Sequence, residues 1–97
     1  MYEIKSICYV VESYINGQKK QADSILTSLY RLRAEDLAMQ VLEASEMFGM
    51  EVTIKILLKL GMSPKRIINA YHDYQREDID EVKYIVKLNT LIDYGLV

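Results

Sequence analysis

Residues 57–71, LLKLGMSPKRIINAY, decide how the second half of the chain folds. An apolar helix end runs into Gly61, and Ser63-Pro64 then open another helix that carries Lys65 and Arg66. Glycine just past a helix relaxes into a left-handed cap. Serine as N-cap with proline at the first helical position is a strong start signal. Two short helices joined by a tight turn are therefore expected, over about 50–60 and 64–76. The first of them, MEVTIKILLKL, is apolar nearly all round except for the Glu51–Lys55–Lys59 row. Such a helix belongs in the middle of a fold.

Working outward, Gly49 stops a preceding helix over about 34–48, whose apolar stripe is Leu37, Ala38, Val41, Leu42 and Phe48. A helix over about 18–32 buries Ala22, Ile25, Leu26 and Leu29. Neither Gly nor Pro separates these two. At about 100° per residue, however, their stripes sit roughly 110° apart. A break near Arg33 resolves the conflict, and Glu35 and Asp36 favour the start of the later helix through its dipole.

At the N-terminus, Ile4, Ile7, Cys8, Val11 and Ile15 follow the rhythm of one helix face. The rival is a strand, with a hairpin at Asn16-Gly17, but QKKQADS offers no alternating partner run. The helix is expected to end near Asn16, capped by Gly17. The last helix, about 78–94, opens on acids and is apolar over more than half its circumference. Tyr84, Ile85, Leu88, Leu91 and Ile92 are expected to form a self-association surface there. The fold class is all-α, a compact bundle of five to six short helices in a single domain spanning residues 1–97.

Composition excludes several classes of function. The 97 residues are 51% apolar and 27% charged, ordinary for a globular chain. One cysteine cannot form an internal disulfide, which suits a reducing, cytoplasmic compartment. No secretory signal is evident, and no stretch approaches the roughly 18 apolar residues of a membrane span. Net charge is −2, yet Lys55, Lys59, Lys65, Arg66 and Arg76 face only Glu51 and Asp73 within residues 51–76, a local +3. Concentrated charge is a statement about partners.

An enzyme is not expected. One His and one Cys do not make a zinc set, and no cofactor, metal or small-molecule substrate is implied. Tyr71-His72-Asp73-Tyr74 offers a base beside an acid, but neighbours on a helix point about 100° apart. His72 reads as a surface residue and Cys8 as a core residue.

Counting from Gly61, apolar residues stand at Ile56 and Leu60 before it, at Met62 just after it, and at Ile67 and Ala70 beyond. Over residues 53–72 this pattern resembles the helix-turn-helix family of DNA-binding regulators. Leu57 departs from it, because the family usually has a small residue there, where the two helices pass closest. A leucine spreads them or changes their crossing angle.

The resemblance implies duplex DNA as partner, with residues 64–76 as the recognition helix. Lys65 would reach a guanine edge or phosphate, Asn69 an adenine edge, and Ile68 a thymine methyl. Ser63, Lys55, Lys59 and Arg66 would hold phosphates, with His72 and Arg76 on the same surface. A homodimer is the expected assembly. The alternative reading is a helical protein–protein interaction module, an inhibitor, adaptor or regulatory subunit. It rests on eight tyrosines and five methionines, residues enriched at interfaces; Tyr71, Tyr74, Tyr84 and Tyr94 are its candidates.

Overall fold

A computed structural model of the chain describes residues 6–73 and 79–93, the last two of these in backbone only. Those residues form six helices and no strand: α1 (Ile7–Ile15), α2 (Lys19–Leu29), α3 (Ala34–Phe48), α4 (Met50–Lys59), α5 (Pro64–Asp73) and α6 (Ile79–Asp93). The all-α class is thus what apolar periodicity and capping residues indicate.

The ends explain the boundaries. Ser6 caps α1, its Oγ accepting from the Tyr9 amide at 3.2 Å. α1 and α4 both finish in the paired hydrogen bonds of a Schellman cap. Gln18 and Gly17 donate back to Ser13 and Tyr14, and Met62 and Gly61 donate back to Leu57 and Leu58. Met62 and Leu57, which flank the second cap, are both buried.

Gly49 is the whole joint between α3 and α4, with φ 90° and ψ 148°. That conformation is essentially glycine-only. α2 stops at Leu29, three residues sooner than periodicity predicts. The amides of Arg31 and Leu32 turn back to Ser28 and Leu29, so Arg33 stands extended at φ −60° and ψ 147°. The expected break falls where the two stripes diverge.

Packing follows a ladder. α1 lies against α2 and α3; α3 also touches α4 and α5; α6 closes against α4 and α5; α1 reaches α4. Consecutive helices α1–α2, α3–α4 and α5–α6 thus stack as three pairs. The shortest molecular dimension, 22 Å, is about two helix diameters. α4 sits among α1, α3 and α6 as its composition demands, with Thr53, Ile54, Ile56 and Leu57 buried. α4 and α5 have little direct contact and are held together through α3 and α6.

The α1 face needs correction. Ile7, Val10, Val11 and Ser13 are buried, Cys8 is half-buried, and Ile15 is 54% exposed. A helix with neighbours on two sides buries a broad arc rather than a single stripe, and the arc turns Ile15 outward. Ile4 lies outside the described residues.

Candidate binding grooves

A groove of about 330 Å³ runs between α3 and α5. From α3 come Ala34, Leu37, Ala38 and Val41, one face at helical spacing. Met62 and Ser63 precede α5, and Lys65, Arg66, Asn69, Ala70 and Asp73 continue along it. The floor is apolar because Leu37, Ala38, Val41, Met62 and Ala70 are buried core residues. The rim is polar: Ser63, Lys65, Arg66, Asn69 and Asp73 are exposed.

Two contacts fix the direction of the helices. Arg66 lies over the ring of Tyr30, just before α3, at 4.9 Å from its centroid. Farther along, Tyr71 hydrogen-bonds Ser45 near the other end of α3. α3 and α5 therefore run parallel, and both N-termini open at the Lys65/Arg66 end of the groove. Helix N-termini carry partial positive charge, so among the groove-lining residues this end, with Lys65 and Arg66, is more cationic than the Asp73 end. Glu35 and Asp36 sit in the first turn of α3 but do not line the groove.

The Arg66–Tyr30 contact stabilises by about 0.5–1 kcal/mol at an exposed site. Burial pushes the Tyr30 phenol up, Arg66 opposes that and Asp23 adds to it. Tyr30 therefore stays neutral beneath the cation.

A second groove, about 350 Å³, runs between the end of α1 and α4, with Lys55 and Lys59 on its rim. The lysines expected beside Lys65 and Arg66 on one surface thus line a different groove. Ser63, Lys65, Asn69 and His72 are exposed and Ile68 is half-buried; Arg76 lies outside the described residues. On α6, Tyr84 is 65% exposed, Leu88 and Leu91 are half-buried, and Ile85 belongs to the core. The side chain of Ile92 is not described.

Tyr71 is fully buried rather than part of an interface. Ser45 donates to the Val41 carbonyl at 3.0 Å, which leaves the Tyr71 hydroxyl as donor to Ser45. Tyr74 and Tyr94 lie outside the described residues. His72 and Asp73, expected to diverge, approach to 3.8 Å between Nδ1 and Oδ1. Both are at the exposed end of α5, free to lean together, and such a pair is worth little.

Cys8 is poorly suited to nucleophilic work. Burial pushes its thiol up, and Glu43 and Glu12 push further against a backbone hydrogen bond that lowers it. Among the described residues no cluster of three His, Cys, Asp or Glu offers a metal site, and no helix is long and apolar enough to cross a membrane.

Sequence reasoning missed Ser45, Tyr30 and Gln40, whose Oε1 accepts the Ile7 amide at 3.1 Å and ties α1 to α3. Only Ser45 carried a signal, as the next step of the stripe through Ala38 and Val41. No family model, curated protein or solved structure matches the chain.

Proposed function

We propose that the protein is a non-enzymatic helical interaction module that docks an acidic, partly apolar segment of a protein partner in the α3–α5 groove. The observation that supports this is the groove's composition along its length. An apolar floor suits the side chains of an amphipathic segment. The cationic, doubly N-terminal end suits a carboxylate on that segment. Arg66, which lies over the Tyr30 ring, stands at that end.

Duplex DNA is the second reading, favoured by the exposed line of Lys65, Asn69 and His72 along α5. It would need α5 to stand clear enough to enter a major groove. Against that, α3 flanks α5 along its length, and Lys55 and Lys59 line a separate groove.

One titration separates the two. The probes are a labelled peptide with two leucines one helical turn apart among glutamates, and a labelled mixed-sequence duplex. The module reading expects saturable peptide binding that weakens at least about tenfold in Lys65→Glu/Arg66→Glu. Duplex binding that falls steeply between about 50 and 200 mM salt, with no peptide bound, would establish the DNA reading instead.

A further inference from the structure

The α1–α4 groove is independent of the site above and has its own complement on the same molecule. Tyr14, Ile15, Val52, Lys55, Ile56 and Lys59 line it. Ile15 is 54% exposed and Val52 41%, so apolar side chains from two helices stand in water at one place. Lys55 and Lys59 are exposed, and among the described residues neither has an acid within ion-pair distance.

α6 carries the opposite pattern. Asp80 and Glu81 occupy its first turn, exposed, and Tyr84 follows on the same side, 65% exposed. Lys87 comes next, exposed, while half-buried Leu88 and Leu91 extend the apolar edge. Among the described residues no α6 side chain lines the α1–α4 groove, so one molecule does not bring the two described surfaces together.

We propose that the α1–α4 groove of one copy receives the Tyr84 face of α6 from a second copy of the same chain. Charge order sets the direction. Along α4 the exposed row reads Glu51, Lys55, Lys59; along α6 the side that carries Tyr84 reads Asp80 and Glu81, Tyr84, Lys87, with exposed Lys83 about 100° round from Tyr84. Laid antiparallel, Lys59 meets Asp80, Lys55 reaches Glu81, and Glu51 meets Lys87. At about 1.5 Å per residue the two rows span about 12 and 10.5 Å, so they stay in register. Tyr84 then enters the groove beside Ile15 and Val52. An aromatic anchor in an apolar slot supplies the affinity, and the flanking charges supply direction and selectivity.

The test is the mass of the full chain in solution by light scattering across about 10–200 µM, a range that reports micromolar association. The wild type is expected to dimerise. Lys55→Glu/Lys59→Glu and Asp80→Lys/Glu81→Lys are each expected to be monomeric, and an equimolar mixture of the two to associate again. Because Asp80 and Glu81 also favour the start of α6, Tyr84→Arg gives a second variant that should weaken association at least about tenfold. Circular dichroism confirms that each variant is helical. A monomeric wild type, association undiminished in the reversed variants, or a mixture that stays monomeric would each overturn the proposal.

Discussion

Thr53 and Tyr71 place the same group, a buried hydroxyl, in opposite circumstances. Tyr71 is bonded to Ser45, whereas Thr53 Oγ1 has no partner among the described residues. A buried polar group costs free energy unless it is bonded, and a made bond is worth about 1 kcal/mol net. Tyr71→Phe should therefore destabilise by about 1 kcal/mol, roughly 4–8 °C in Tm for a domain of this size. Thr53→Val keeps the shape and removes the unpaired oxygen, so it should leave Tm unchanged or raise it; a clear fall would mean that the hydroxyl has a partner. Cys8 gives a pH prediction. Its folded thiol is held above the ordinary range, so the neutral thiol is favoured at neutral pH and alkylation should be slower there than for a free thiol. The associated stability is present below that range and is lost as pH rises through the folded value. At this scale the sequence was least legible. Tyr71 shares a face with Ile67, but periodicity does not say whether that face meets α3 or a partner.

Helices and their joints were far more legible, because caps and apolar spacing act locally. Gly61 and Ser63-Pro64 mark the α4–α5 turn, and Gly49 marks the α3–α4 joint. A Cβ added at Gly49 would meet nothing within 4 Å, so the requirement for glycine is conformational rather than steric. Gly49→Ala should cost about 1–3 kcal/mol, read by denaturant unfolding, and an unchanged midpoint would show that the joint relaxes elsewhere. What spacing did not foretell is which neighbours each helix meets. Ile15 continues the α1 rhythm yet faces water, since α2 and α3 draw in Val10, Val11 and Ser13 instead. Likewise the apolar offsets around Gly61 are buried or half-buried, yet α4 and α5 meet through α3 and α6. Leu57, fully buried where a close crossing needs a small side chain, agrees with that separation.

Among the described residues, three stacked helix pairs frame an α3–α5 and an α1–α4 groove, each with apolar residues and a basic rim, on a chain whose net charge is −2. The charge cluster was visible in sequence, but its division between the α3–α5 and α1–α4 grooves was not, because spacing along the chain does not say which neighbours Lys59 and Lys65 face. A chain with this distribution should bind acidic partners and lose affinity with salt, more at Lys65 and Arg66 than a neutral apolar groove would. The most direct measurement is a selection from a random-peptide library against the wild-type protein. Survivors are then tested on Lys65→Glu/Arg66→Glu and on Asn69→Trp, which blocks the groove without touching the core. Docking in the α3–α5 groove predicts enriched sequences with an acid at one end and apolar residues at helical spacing, bound at least about tenfold more weakly by both variants. No enrichment, or peptides that bind all three proteins alike, would contradict it.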